Sequence, residues 1–77
     1  RPQSRGRGVG RTLLRAVIER ARSRGVHTLI GELSADSEAS LRLHAGLGFV
    51  EVGRLREVGR KFGRWLDLVH VQLMLQD

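Results

Sequence analysis

A small α/β (α+β) fold, running helix, strand, helix, strand, strand, is predicted by the spacing of apolar residues along this chain. Three observations carry that prediction. Between Gly8 and Arg24, Val9, Leu13, Leu14, Val17, Ile18 and Ala21 recur at helical spacing. Val26 to Leu33 is a β-branched run without a breaker, as a strand requires. Near the C-terminus Val69, Val71, Leu73 and Leu75 alternate with His70, Gln72 and Met74, the two-residue period of a strand with one apolar face.

The first helix sets Arg11, Arg15, Glu19 and Arg22 opposite its apolar residues, with Glu19 placed to pair with Arg15 and Arg22. Gly25 is positioned to stop it. Ser34 to Ser37 forms a turn that offers an N-cap, followed by Glu38 in the first turn, where a carboxylate suits the helix dipole. The second helix is short, lays Ala39, Leu43 and Leu47 along one stripe, and ends at Gly48. Phe49 to Val58 is the next strand, Gly59 to Arg64 a loop, and Trp65 to Leu75 the last strand. No repeat, low-complexity run or linker divides the 77 residues, so a single domain is expected. A chain this short buries only about 60% of its unfolded surface, which makes it marginal by itself.

Composition narrows the chemistry. There is no cysteine, hence no disulfide or thiolate zinc site, and the three histidines lack spaced carboxylates, so no metal is expected. No apolar run approaches the roughly 20 residues of a membrane span, and no signal peptide is evident, which points to a soluble, cytoplasmic protein. The net charge of +6 is uneven: residues 1–24 hold eight arginines against Glu19, and the remainder is close to neutral. That asymmetry suits either nucleic acid or one polyanionic cofactor. Two phenylalanines, one tryptophan and no tyrosine leave few base-stacking platforms, which disfavours nucleic acid.

The basic end contains Arg5-Gly6-Arg7-Gly8-Val9-Gly10-Arg11. Glycines at alternate positions allow a tight turn without Cβ atoms between its amides and a ligand. A helix beginning there would add unpaired N–H groups and a positive dipole end, the elements of a phosphate or pyrophosphate site. Two phosphate motifs fail: a P-loop would need glycine where Arg5 stands and a lysine that is absent, and a dinucleotide fingerprint would need glycine at Arg11 and a preceding strand. Because such a loop ordinarily follows a strand, the chain is expected to lack its N-terminal part.

Arg5-x-x-Gly8-x-Gly10 resembles the R/Q-x-x-G-x-G/A acetyl-coenzyme A signature of the GNAT acetyltransferase superfamily. Ser37 to Phe49, with Leu43-His44-x-x-Leu47-Gly48-Phe49, is similar to that family's Asn…Tyr/His…Gly-Phe segment. Gly53 to Asp67 resembles the G-x-L-R-x-x-G-x-K-x-G-x-W-x-D stretch of the phosphinothricin N-acetyltransferase branch. The resemblance covers almost the whole chain and implies the C-terminal half of a GNAT fold, an incomplete domain over residues 1–77.

It also implies roles. Arg5, Gly6, Arg7, Gly8, Val9, Gly10 and Arg11 would hold acetyl-CoA by its pyrophosphate. Ser37 stands where the family usually has Asn against the pantetheine arm, or serves only as a helix cap. His44 would be the acid for the leaving thiolate. Lys61 and Arg64 would border an acidic acceptor, or the hairpin is structural, with turns at Gly59 and Gly63 and Trp65 in the core. His27 and His70 read as ordinary strand residues. Ser40 and His44 are four apart on one helix, but no oriented carboxylate or oxyanion loop accompanies them, which excludes hydrolase chemistry. Seven residues separate Ser37 from His44, about 700° of helix, so both would project within about 20° of each other.

The implied reaction is direct attack of a small amino-acid-like amine on acetyl-CoA, of the phosphinothricin or methionine-sulfone type. The alternatives are another small amine or a peptide N-terminus, a relative kept only for binding or assembly, or a small basic nucleic-acid-binding module. The general base and oxyanion amide would come from strands before the turn. This chain alone is therefore expected to be inactive, and homodimerisation of the full-length protein is left open.

Overall fold

The computed structural model describes residues 2–76, with side chains from Gly8 onward. The order of elements is the one expected: α1 (Pro2–Ser23), β1 (Thr28–Ser34), α2 (Glu38–Gly46), β2 (Val50–Lys61) and β3 (Arg64–Met74). The three strands form one antiparallel sheet in the order β1-β3-β2. Both helices pack on the same face of it, making two layers with the core between them: Ile18 of α1, Phe49 after α2, and Val69, Val71 and Leu75 at the central strand. Cross-strand pairs Leu29↔Leu73, Gly31↔Val71 and Leu33↔Val69 line that face.

Both helices end by the same device. Gly25 has φ 80°, and Gly25 and Val26 donate back to the carbonyls of Arg22 and Ala21 at 3.1 and 3.0 Å. Gly48 has φ 101°, and Gly48 and Phe49 donate back to Ala45 and His44 at 3.1 and 3.0 Å. Each is a Schellman cap, which needs a residue free to adopt left-handed backbone. Both glycines were legible as such stops, and each helix ends two residues before its own, at Ser23 and at Gly46.

Only part of the apolar stripe of α1 meets the sheet. Leu14 and Ala21 pack against the core beside Ile18, but Val9, Leu13 and Val17 are exposed. At 100° per residue these are two stripes about 110° apart, and a three-stranded layer covers one. Leu41 of α2 and Leu47 just after it turn to the core, and Ala39 of the expected stripe is exposed. Glu19 pairs with Arg22 at 3.5 Å; among the described residues no such pair joins it to Arg15.

The β2–β3 hairpin is tighter than its glycines suggested. Gly59 lies within β2 opposite Leu66, and only Phe62 and Gly63 turn the chain, with φ 51° and 75°. Positive φ at both central positions is the requirement of a type I′ turn, whose twist matches that of paired strands. Phenylalanine in the first of them is strained, and its ring is 91% exposed. Replacing Phe62 with Asn, which tolerates left-handed backbone, is expected to raise stability by about 1 kcal/mol. Urea unfolding with an unchanged or lower midpoint would contradict that. Trp65 is 56% exposed rather than in the core, and the Arg60 guanidinium lies 4.7 Å over its ring.

Candidate functional site

Three places carry the residues that the sequence singles out. The first is the glycine-rich end of α1. The expected open turn over Gly6–Arg11 is not what the structure shows: Gly8, Val9, Gly10 and Arg11 lie inside α1, so their amides are taken by the helix. Propagating an existing helix gains one hydrogen bond per residue ordered, arginine is a good helix former, and Pro2 suits a first helical position. No strand among the described residues holds this backbone open. For Arg5, Gly6 and Arg7 the structure describes only their place in α1, and the roles expected of their side chains lie outside the described residues. A Cβ built on Gly10 would meet Leu43 at 3.7 Å, and one on Gly46 would meet Arg11 Nη1 at 3.7 Å. Arg11 therefore stands beside the C-terminal end of α2, where a cation complements the helix dipole.

The second place is His44, in the last turn of α2. Its ring is half-buried and held on three sides. Nδ1 is 2.8 Å from the Ser40 carbonyl one turn earlier. Phe49 meets the ring edge-on, with centroids 5.0 Å apart. Beneath it lies Gly31 of β1, where a Cβ would come within 3.7 Å of Cδ2 and 3.8 Å of Nε2. The spacing of the His-x-x-x-Gly-Phe run now has a local cause. The left-handed Gly48 folds the chain back, the His44 carbonyl accepts from Phe49, and the two rings make the apolar contact that closes a Schellman cap. Ser40 contributes its carbonyl.

Ser37 occupies the N-cap of α2 but makes no side-chain cap bond; its backbone has φ −90° and ψ 75°. Its amide donates to Ser34 and its carbonyl accepts from Leu41, both at 3.0 Å. Because Ser37 lies outside the helix, the rotation that would align it with His44 does not apply.

The third place is the hairpin. Arg56, Glu57 and Val58 bulge between the pairs Leu55↔Leu68 and Gly59↔Leu66, with Glu57 at φ 52°. Asp67 anchors the bulge: its carboxylate accepts from the Glu57 amide at 2.9 Å and from Arg54 at 2.8 Å. Those two bonds, the amide first, hold the Asp67 carboxyl below its ordinary value. A carboxyl lowered on folding stabilises the fold fully above its unfolded value near 3.8, and that contribution fades as pH falls through the lower folded value. Asp67→Asn should therefore be less stable at neutral pH and show a shallower loss below pH 3.8 than the parent in acid unfolding; parallel curves would refute this. The Leu-Arg-x-x-Gly…Trp-x-Asp spacing is thus the spacing of a bulged hairpin.

Lys61 and Arg64 are the pair that closes the hairpin turn, both exposed. Arg64 reaches Asp36 at 3.6 Å, and the Lys61 ammonium lies 5.9 Å over the Phe62 ring. The Asp36 carboxyl is held low, chiefly by the Ser34 hydroxyl at 2.6 Å, then by Lys61 and Arg64. Arg64 thus already faces the loop before α2. His70 has a partner that sequence spacing could not reveal: Glu32, opposite it on β1, with 3.0 Å between Nε2 and Oε2. His27 precedes β1 and its carbonyl accepts from Leu75 at 2.8 Å. Among the described residues, no helix is long and apolar enough to cross a membrane.

Comparison with known proteins finds relatives along nearly the whole chain. The profile of the acetyltransferase (GNAT) family matches residues 1–49. An L-methionine sulfoximine/L-methionine sulfone acetyltransferase of Pseudomonas paraeruginosa is 48% identical over 97% of this chain and 44% of its own length. A phosphinothricin N-acetyltransferase of Alcaligenes faecalis is 47% identical over 92% of this chain and 36% of its own. The structure of yncA from Salmonella typhimurium, solved with its cofactor acetyl-CoA, superposes with a TM-score of 0.87 at 44% identity, over 94% of this chain and 42% of that one. The chain spans less than half the length of these relatives, and its five elements are part of their fold. On this sequence match and this superposition together, the chain belongs to the GNAT acetyltransferase family.

Proposed function

We propose that residues 1–77 are the C-terminal part of a single acetyl-CoA-dependent N-acetyltransferase domain acting on the primary amine of a small amino-acid-like substrate. The observation that carries this is the 48% identity, across nearly the whole chain, to a relative named for methionine sulfoximine and methionine sulfone. When bound, acetyl-CoA supplies an activated acetyl thioester and three phosphate groups.

A polyanion suits the basic end of α1 by charge, and Gly8 has nothing within 4 Å of where a Cβ would be. The backbone fits only if the first turns of α1 open. Three alternating glycines weaken the helix there, each by about 1 kcal/mol relative to alanine, so these are the turns most easily released. Opened, the Gly6–Arg11 amides would face the diphosphate, with Arg5, Arg7 and Arg11 as its counter-charges and Val9 contributing its amide. Ser37, with a hydroxyl that makes no cap bond, is available to the cofactor's arm. His44 gives the leaving thiolate its proton from Nε2, since Nδ1 faces a carbonyl. Lys61 and Arg64 border the acceptor and favour a carboxylate- or phosphinate-bearing one.

Calorimetric titration of the complete open reading frame with acetyl-CoA, followed by acetylation of a panel of amino-acid analogues, tests the proposal. Saturable heat and turnover of methionine sulfone or phosphinothricin are expected, and no heat with acetyl-CoA would end it. Gly8→Val separates the two backbone forms. The closed helix has room for the side chain, so a loss of affinity reports the opened turn, and undiminished affinity removes that turn as the site.

A further inference from the structure

We infer that His44 is held as the Nδ1–H tautomer, and that Gly31 and Phe49 are positioning residues that leave its Nε2 lone pair open over β1. The inference rests on the proposed role of His44 and adds which ring atom acts and what aims it.

A carbonyl oxygen only accepts hydrogen bonds, so an Nδ1 lying 2.8 Å from the Ser40 carbonyl carries a proton in the neutral ring as well as in the charged one. In the neutral ring Nε2 then carries the lone pair. The neutral ring has no proton to give at Nε2; it must first take one there. His44 thus works as a carrier: Nε2 accepts a proton released when the amine nitrogen bonds to the acetyl carbon, and passes it to the sulfur as the carbon–sulfur bond breaks. One N–H proton leaves the amine and one S–H bond forms, so the transfer balances without another reactant.

Aim comes from the neighbours. Phe49 sets the ring plane through an interplanar angle of 68°. The ring edge carrying Cδ2 and Nε2 rests over Gly31, the one residue of β1's helix-facing row, Leu29, Gly31 and Leu33, without a side chain. A methyl at position 31 would sit 3.8 Å from Nε2 and cover it from the strand side, besides coming to 3.1 Å from Val71 Cγ2.

Two measurements on the complete open reading frame decide this. Long-range proton–nitrogen correlation of ¹⁵N-histidine-labelled protein should show the neutral His44 ring pyrrole-like at Nδ1 and pyridine-like at Nε2. A neutral ring protonated at Nε2 would overturn the assignment. In Phe49→Leu the same spectrum should show the two neutral tautomers mixing, and an unmixed one would remove Phe49 as a positioning residue. Gly31→Ala is compared on a Val71→Ala background, which makes room for the methyl, against Val71→Ala alone. The added methyl should lower kcat roughly ten- to a hundred-fold with KM for acetyl-CoA little changed, and equal kcat values would remove Gly31 from the argument. The ring spectrum needs no turnover. An enzyme that ignores acetyl-CoA would therefore defeat the proposed function without deciding the tautomer.

Discussion

His44→Ala is expected to lower kcat by about a hundred-fold or more while leaving KM for acetyl-CoA within a small factor. General acid–base catalysis by a positioned side chain contributes about 10²–10⁴-fold. The whole effect should fall on the chemical step, because the residues proposed to hold the cofactor's phosphates lie on α1. The substitution also removes the edge-on partner of Phe49, so some loss of stability accompanies it. His44→Gln distinguishes the two effects, since its side chain still fills much of the space and donates a hydrogen bond but cannot carry a proton. If His44→Gln restored the parental kcat and pH–rate profile, the ring's role would be packing alone. If both variants turned over as the parent does, His44 would have no part in the chemistry.

The second large effect concerns the joint between α1 and the sheet. Ile18→Ala should destabilise by about 2–5 kcal/mol, the range for deleting a buried aliphatic side chain that leaves a cavity. Among the described residues, Ile18 is the buried one that α1 contributes to the core, set among Phe49, Val69, Val71 and Leu75. At roughly 0.05–0.15 kcal/mol per residue these 77 residues supply only about 4–12 kcal/mol, so the variant should be largely unfolded by temperatures its parent survives. Each kcal/mol moves the midpoint by roughly 4–8 °C in a domain this small. The neighbouring Val17→Ala is the control: Val17 is exposed, and within this chain its truncation should change stability by no more than about 0.5 kcal/mol. Equal melting shifts for the two variants would mean that α1 docks through a different stripe.

Position 17 also illustrates the limit of a helical pattern. Val9, Leu13 and Val17 are as apolar as Leu14, Ile18 and Ala21, and periodicity alone merges them into one face. Which stripe a sheet covers depends on the width of that sheet, which is set by strands far away in the chain. The turn expected at Gly6–Arg11 is closed into α1 here for a related reason. Glycines permit a turn without compelling one, and here the backbone closes hydrogen bonds along its own helix. The cation roles read similarly: charge and exposure of Lys61 and Arg64 were evident from their types, but the approach of Arg64 to Asp36, in the loop before α2, was not.

What the amino-acid order determined by itself was whatever depends on near neighbours: five elements in sequence, stops at Gly25 and Gly48, one apolar face on β3, and the family motifs spaced along them. Helical and strand periodicities, and the left-handed freedom of glycine, act over a few residues and are therefore written locally. The tertiary structure alone decided the pairings that join distant positions. It set Asp67 as the anchor of the Glu57 bulge, Glu32 opposite His70, and Gly31 beneath the ring of His44. Register and layer packing choose such partners, and these emerge only when separate segments are brought together to bury Ile18, Phe49 and Val69.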